Sequence, residues 1–341
     1  MREFLARLAT WDGLDTWTAA TAAVAAAACA VPGVFLVLRR QALLGDALSH
    51  TALPGVVGAY LVTTFAERGG LLPEGTFAAA RHLLLAAGAV LVGLLTAWFA
   101  EALARLGRID RTASLAVVFT TAFAAGLLLL RWQADAVHID PDHVLFGEVE
   151  LAVLDTIAGT PVPRPLAVAA VALLVNALFV AVCFKELRLA AFDPGFAESI
   201  GLNTRRLHLV QVAVTAVTLV AAFESVGSIL AIAMLVLPAA AARFLTDRLL
   251  GTLLWSVALA LLASVAGHAA SFTVPPVVFG ALGFEGVEDA GTAGSMAAVG
   301  GAVFLLALLL GPKGGILTTR ASRPAHEEAE GLRPLGFAAR S

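Results

Sequence analysis

Two side chains that can bind a cation lie one helical turn apart in an apolar stretch of the sequence. Asp46 and His50 are spaced i, i+4, so on a helix they project from the same face and can hold one ion together. A carboxylate and an imidazole together suit zinc, manganese and iron. The pair therefore predicts a site for a divalent transition metal, and its geometry would choose among the three.

The pair also lies deep within its apolar stretch. Arg39 and Arg40 come just before it, and a long apolar run at 52–65 follows. At a rise of about 1.5 Å per residue, His50 would lie about 15 Å beyond Arg40, near the middle of a bilayer about 30 Å thick. An ionisable pair at that depth is costly and usually faces a protein interior or an aqueous path, which points to transport.

The neighbours of the pair leave two interpretations open. Pro54 and Gly55 loosen a helix and free carbonyl groups that could line a path, with Ser49 beside them. In the other interpretation, Asp46 only caps the start of the helix, and His50 forms a hydrogen bond to a neighbouring helix. His82, His208 and His268 stand alone and are expected to be structural.

Composition restricts the class of protein. Of 341 residues, 60% are hydrophobic and 14% charged, and the mean hydropathy is +0.90. Soluble domains are about a quarter charged, so the sequence indicates a multi-pass membrane protein. The net charge of −3 argues against nucleic acid as a partner. Cys29 and Cys183 both lie in apolar runs, where we expect small buried hydrophobic residues and no disulfide.

The N-terminal apolar run is expected to be a membrane span and not a cleaved signal peptide. The run at 17–38 is too long for a signal and ends in Arg39-Arg40. Ala26 also stands where a lipoprotein signal ahead of Cys29 normally has a larger aliphatic residue.

Stretches of about 20 apolar residues predict an all-α membrane protein with about nine transmembrane helices, within a range of eight to ten. The sixth and seventh stretches are broken only by Glu224 and Gly227, so they could form one long helix, two short helices or a re-entrant pair. The predicted spans are 17–38, 43–65, 82–103, 112–130, 165–184, 207–223, 226–245, 249–272 and 292–311.

Charge placement orients the chain. Basic residues concentrate at 39–42, 104–111, 185–206 and 243–248, whereas 131–164 and 273–291 are acidic. The positive-inside rule places the basic loops and the C-terminus in the cytoplasm. Two passes must then separate Arg206 from Arg243, which favours nine spans. This arrangement places Arg2 and Arg7 on the outer side of the membrane, against the rule. We expect one membrane domain at 1–320 and a disordered cytoplasmic tail at 321–341.

Three further segments carry chemistry. Glu224 interrupts an apolar run and is either an exposed turn residue or a gate or third metal ligand. The segment 192–202 predicts a short cytoplasmic helix with Asp193 as N-cap, Pro194 at its first position and Gly201 as terminator. A helix with its own cap and terminator is more than a plain connector needs, and it suits docking of a soluble partner.

The outer loop at 138–148 could bind metal, but docking of a partner is the better interpretation. Its polar residues are His138, Asp140, Asp142, His143 and Glu148.

Missing motifs exclude several classes. No G-x-x-x-x-G-K-[ST] occurs, so the chain does not bind ATP through a P-loop. No G-x-S-x-G, H-E-x-x-H or C-x-x-C occurs either, so an intramembrane hydrolase or redox enzyme has no candidate core.

The order and spacing of these segments resemble the permeases of bacterial zinc/manganese/iron ABC importers. D-A-L-S-H-T-A-L-P-G at 46–55 is similar to that family's second-helix motif, and 193–201 is similar to its cytoplasmic coupling segment. The other matching positions are Leu145-Phe146-Gly147, Val226-Gly227 with Leu235, Pro238-Ala239 and Ala242, Thr292-Ala293-Gly294, and Gly311-Pro312-Lys313-Gly314-Gly315. The resemblance covers about residues 15–317.

The resemblance implies a type II ABC importer-like permease of the bacterial cytoplasmic membrane. It implies a second permease copy or paralogue, a cytoplasmic ABC ATPase, and an extracytoplasmic metal-binding protein. Asp46 and His50 would become ligands on the path of the transported divalent metal, and no cofactor would be bound permanently. The residues expected to seat in the ATPase are Asp193, Pro194, Gly195, Phe196, Glu198 and Gly201.

Two alternatives from other classes stay open on sequence alone. A proton-coupled secondary metal transporter would also carry an intramembrane Asp/His pair but would work without an ATPase. A permease for a chelate such as a siderophore, haem or cobalamin would share the architecture with a wider, less charged path. Glu224 and the acidic loop at 138–148 slightly favour manganese or iron, the harder ions, over zinc as the expected metal.

Overall fold

The computed structural model describes residues 11–70, 76–132, 149–157, 159–281, 283, 286 and 289–321. Within these ranges the chain forms helices and no β-strand. The helices are α1 (Gly13–Leu38), α2 (Ala42–Arg68), α3 (Thr76–Gly107), α4 (Arg111–Trp132), α5 (Val149–Ala152), α6 (Arg164–Val182), α7 (Phe184–Phe192), α8 (Pro194–Ser199), α9 (Thr204–Leu245), α10 (Leu249–Ala281), α11 (Thr292–Leu310) and α12 (Ile316–Ala321).

The described helices confirm the predicted all-α membrane architecture. Eight helical stretches are long and apolar enough to cross a bilayer, and α9 supplies two of them, Thr204–Phe223 and Ser225–Leu245. α2 is not among the eight although it is 27 residues long, because Asp46, His50 and several small polar residues lower its hydropathy. The eight stretches of the described chain fall within the predicted range of eight to ten, and the ninth span, α2, stays a prediction.

The long helix α9 is a hairpin of two antiparallel halves. Its first half begins beside Arg39, where Arg39 Nη1 lies 3.3 Å from His208 Nδ1. The chain turns at Gly227, whose φ of 74° and ψ of 169° are non-helical. The second half runs back along α1, where Leu235 meets Gly33. Positive φ is open to glycine at little cost, so Gly227 permits the turn, and 207–245 forms two helices.

The helix α1 forms the centre of the molecule. Its residues are nearly all buried from Thr18 to Leu36, and it packs against α6, α9 and α10. Alanine and glycine along α1 allow close approach of the neighbouring backbones, which is how membrane helices gain van der Waals contact. Asn176 of α6 joins this centre by donating to Ala28 O at 3.3 Å and to Thr218 Oγ1 at 2.8 Å.

Part of one predicted outer loop is helical. The acidic segment 273–291 is predicted to be an outer loop, but α10 continues through Pro275 and Pro276 to Ala281. Pro275 has no N–H to donate to the carbonyl four residues earlier, at Ser271. Ala290 N donates to Ser271 O at 2.9 Å in its place, so the helix continues without leaving that carbonyl unpaired.

Close glycine contacts hold α2 against α3 and α4. A Cβ at Gly55 would lie 2.5 Å from Ala89 Cα and 2.6 Å from Gly88 O of α3. A Cβ at Gly126 of α4 would lie 2.7 Å from Pro54 Cβ. These contacts fix the depth and rotation of α2, and therefore of the side chains that it carries.

The predicted tail at 321–341 lies outside the described residues except for Ala321. The division into a membrane domain at 1–320 and a disordered tail therefore stays a prediction.

Two glycines on α2 provide a matched test of this packing. Gly55→Ala should lower the free energy of unfolding by about 1–3 kcal/mol through overpacking against α3. Gly58→Ala should leave stability unchanged or raise it by up to about 1 kcal/mol, because a Cβ at Gly58 meets nothing within 4 Å and alanine favours helix. Thermal unfolding of the purified protein, followed by tryptophan fluorescence, measures both. Equal midpoints for the two variants would contradict the packing described for α2.

Candidate metal pair and coupling segment

The helix α2 places Asp46 and His50 side by side. Asp46 Oδ1 lies 3.5 Å from His50 Nε2, and each side chain is about a third exposed. The i, i+4 spacing therefore brings the two groups together as predicted. The capping interpretation of Asp46 is wrong, because α2 begins at Ala42 with Gln41 as its N-cap and Asp46 lies in the second turn.

Two phenylalanines of α4 hold the His50 ring. Phe119 stacks on it with ring centroids 5.9 Å apart and planes 11° apart, and Phe123 meets it at 5.1 Å and 62°. Aromatic contacts of this kind restrict the rotation of a ring and shield one of its faces from solvent. Sequence reasoning missed both residues, although their own i, i+4 spacing places them on one face of α4.

The backbone around the pair carries local side-chain hydrogen bonds and a proline. Ser49 Oγ donates to Asp46 O at 2.7 Å, and Thr51 Oγ1 donates to Ala47 O at 3.0 Å. Pro54 lies inside α2 and cannot donate to the carbonyl of His50, four residues earlier. The main chain beside His50 therefore has an acceptor that the regular helix does not use.

The pair supplies two ligands from one chain. Among the described residues, no group of three or more His, Cys, Asp or Glu side chains is close enough to hold a metal ion. Glu224 lies in α9, three residues before the turn at Gly227. Its side chain is outside the described part of the structure, so its assignment as a gate or third ligand stays a prediction.

The predicted cytoplasmic helix is present as α8. Asp193 caps it and accepts a hydrogen bond from Phe196 N at 2.9 Å, Pro194 takes the first turn, and Gly201 follows with φ of +89°. Phe196 is 54% exposed and Ile200 58%. The segment thus presents two large exposed apolar side chains, and its role in docking the ATPase stays a prediction.

A hydrogen bond connects α8 to the start of α9. Glu198 Oε1 accepts from Thr204 Oγ1 at 2.6 Å.

Beside this contact, a cavity of about 540 Å³ lies among the cytoplasmic ends of α2, α3, α4 and α9. Glu101 pairs there with Arg105 at 2.8 Å and lies 3.8 Å from Arg111. Burial lowers the pKa of the Arg39 guanidinium from its ordinary value.

His268 is a structural histidine, as expected for an isolated one. Its Nε2 lies 3.2 Å from Asp15 Oδ1, and its Nδ1 lies 3.0 Å from Thr292 Oγ1. Glu150 Oε1 accepts from Thr292 N at 2.9 Å, at the start of α11, where a helix favours negative charge. These contacts tie α1, α5, α10 and α11 together at the end of the bundle opposite α8.

The outer loop predicted to dock a binding protein lies outside the described residues. His138, Asp140, Asp142, His143 and Glu148 all fall in the range 133–148. Their role stays a prediction.

Eight stretches apolar enough to cross a bilayer, with an ionisable pair on the helix α2 between two of them, define the described residues as a multi-pass membrane protein. The chain belongs to the ABC 3 transport family, whose model matches residues 14–282. As a member of this family it is a multi-pass permease of the bacterial cytoplasmic membrane, and it is not an enzyme, because ATP hydrolysis belongs to a separate ATPase chain. Permeases of this kind form dimers and work with that ATPase and an extracytoplasmic binding protein.

Relatives that match most of the chain include three named transport proteins. The chain is 36% identical to the manganese transport system membrane protein MntD of Bacillus subtilis (strain 168), over 90% of this chain and 95% of that protein. It is 35% identical to the zinc transport system membrane protein TroD of Treponema pallidum (strain Nichols), over 87% and 74%. It is 30% identical to the chelated iron transport system membrane protein YfeC of Yersinia pestis, over 87% and 86%.

A solved structure confirms the permease fold. The chain is similar to PsaBC from Streptococcus pneumoniae, determined in complex with Fab, with a TM-score of 0.68 and 22% identity. The match covers 94% of this chain and 99% of that one.

The cap of α8 generates a test of the coupling segment. Asp193→Ala should remove the bond to Phe196 N, cost about 1 kcal/mol of helix stability and lower ATP-dependent metal uptake several-fold. Asp193→Asn should retain most uptake, because asparagine caps helices about as well. Uptake is measured per permease in the membrane, as determined by immunoblot. Wild-type uptake by Asp193→Ala would show that the cap does not support coupling.

Proposed function

We propose that this permease moves a divalent transition metal, either manganese, iron or zinc, into the cell, and that Asp46 and His50 hold the ion briefly on its way. The observation that carries the proposal is the pairing of a carboxylate and an imidazole 3.5 Å apart on a membrane helix. A metal ion stabilises this arrangement far better than lipid would, because hydrocarbon solvates neither an ionised carboxylate nor a polar imidazole.

The pair is better suited to brief binding of a transported ion than to permanent binding of a structural one. A structural metal site surrounds its ion with four ligands or more, whereas one chain offers two side chains here. Both remain about a third exposed, so they face outward from α2 and accept an ion from a path beside the chain. We place that path between two permeases, where a second copy would contribute a second pair.

The transport cycle that we propose links three parts of the chain. The binding protein docks on the outer segments, including 138–148, and releases the ion above Glu224. The ion then reaches Asp46 and His50. Closure of the ATPases moves α8, and the Glu198–Thr204 bond transmits this movement to α9, whose first half packs against α2 and α3.

The donor set does not separate the three metals. One oxygen and one nitrogen donor are acceptable to manganese, iron and zinc, and the chain is about equally similar to relatives named for manganese and for zinc. We favour manganese or iron because the other candidate ligands, Glu224 and the carboxylates of 138–148, are hard oxygen donors.

The alternatives lose support for different reasons. Membership of the ABC 3 family removes the case for a proton-coupled secondary transporter, which would need no ATPase. A chelate permease stays the second candidate, because YfeC is named for chelated iron. A chelate hides the charge of its metal, however, and would make little use of two adjacent ionisable ligands.

The decisive experiment measures uptake of radiolabelled manganese, zinc and iron in cells that lack their own importers. The cells express the chain with its binding protein and with either an active or a hydrolysis-deficient ATPase. Asp46→Ala and His50→Ala should each lower uptake of the transported metal at least about tenfold, as expected when a metal loses a ligand or its support. Membrane levels of the permease should not change.

Ser49→Ala is the matched control on the same turn of α2. Among the described residues its hydroxyl bonds only to Asp46 O, so its loss should leave uptake within about twofold of the wild type. Normal uptake by the Asp46→Ala/His50→Ala double variant would refute the role proposed for the pair. Uptake that continues with the inactive ATPase would refute the importer function itself.

A further inference from the structure

A groove on the cytoplasmic side of the bundle, remote from Asp46 and His50, has no role in the cycle above. It lies between α7 and the start of α10 and has a volume of about 790 Å³. Basic side chains line it from both sides, with Lys185 and Arg188 on α7 and Arg248 just before α10.

The groove lies at the level where lipid headgroups meet the cytoplasm. The membrane helix α6 ends at Val182, directly before α7, and the membrane helix α10 begins at Leu249. Both elements belong to the basic, cytoplasmic side of the chain. The groove therefore opens where the membrane surface begins.

No acidic residue in the described part of the chain pairs with the basic residues of the groove. Lys185, Arg188 and Arg248 have no ion pair with any residue in the described part of the chain. The one acidic residue on the wall, Asp247, is already engaged, since its Oδ2 lies 2.7 Å from Lys313 Nζ. Glu186, the other nearby acid, does not line the groove. Among the described residues, the groove thus presents three cations without an ion-pair partner.

The remaining walls are apolar, and part of them is exposed. Phe192 is 59% exposed and Leu250 58%, and both line the groove. Leu187 and Leu249 are buried beside it in one apolar cluster. A ligand that fits must therefore carry negative charge at one end and hydrocarbon at the other.

We propose that this groove binds an anionic phospholipid of the cytoplasmic leaflet, with its phosphate among Lys185, Arg188 and Arg248 and its first methylenes against Phe192 and Leu250. Clustered basic residues at a membrane surface attract anionic headgroups, and their apolar stems and neighbours accept the chains. Free phosphate satisfies only the charge and leaves the apolar wall exposed. The bound lipid would lie beside α7, which leads directly through Asp193 into the coupling helix α8.

The test compares retention of two lipids by the full-length chain, purified in its transporter complex. Native mass spectrometry counts phosphatidylglycerol and phosphatidylcholine with identical acyl chains after detergent exchange. The wild type should retain phosphatidylglycerol preferentially. Lys185→Gln/Arg188→Gln/Arg248→Gln should lower its affinity for phosphatidylglycerol at least about tenfold, because each basic residue near a membrane surface contributes about fivefold, and should leave phosphatidylcholine unchanged.

The control removes the same charge from elsewhere on the cytoplasmic side. The Arg108→Gln/Arg205→Gln/Arg206→Gln variant should retain phosphatidylglycerol like the wild type. Equal loss of phosphatidylglycerol in both triple variants would mean that only the overall charge matters, and that result would overturn the proposed site. Leu250→Ser tests the apolar wall and should weaken phosphatidylglycerol binding several-fold. Full displacement of the lipid by millimolar inorganic phosphate would show a simple anion site and overturn the proposal.

A last outcome would distinguish a lipid from a protein as the occupant of the groove. If an acidic surface of the ATPase fills the groove, the complex will retain no excess phosphatidylglycerol, and the Lys185→Gln/Arg188→Gln/Arg248→Gln variant will lose its ATPase during purification. That result also overturns the proposal. None of these readouts depends on metal uptake, so failure here leaves the proposed transport function untouched.

Discussion

Hydrocarbon cannot solvate an ionised carboxylate, and the arrangement around α2 follows from that constraint. Asp46 has His50 at 3.5 Å, and the His50 ring in turn is held by Phe119 and Phe123. Glycine contacts with α3 and α4 fix the helix that carries both groups. The buried centre around α1 supports these helices in turn, so the packing of the bundle also fixes the position of the polar pair.

Local signals in the sequence predicted the parts of the molecule that depend on few residues. The positions of the spans followed from runs of apolar residues, and the capped helix at α8 followed from Asp193, Pro194 and Gly201. The proximity of Asp46 and His50 needed only the helical repeat. In each case the residues that determine the structure lie within one helix, and the structure confirms the local geometry.

Contacts between distant helices could not be predicted in this way. Phe119 and Phe123 meet His50 only because α4 packs against α2, and Arg39 meets His208 across more than 160 positions of sequence. The extension of α10 through Pro275 depends on a hydrogen bond from Ala290, which a local pattern does not reveal. The basic groove is likewise formed by two segments, α7 and the start of α10, whose adjacency is set by the bundle as a whole.

The low hydropathy of α2 has a consequence for how the protein is made. Six of the other long helices, and both halves of α9, are apolar enough to cross a bilayer, whereas α2 carries Asp46 and His50, and ionisable side chains within a membrane helix oppose its insertion. α2 therefore depends on its neighbours during synthesis, and α1 before it and α3 after it are apolar. The side chains that give the helix its chemistry make its entry into the membrane a cooperative event, so variants that weaken the α2–α3 contact should accumulate in the membrane at lower levels than the wild type.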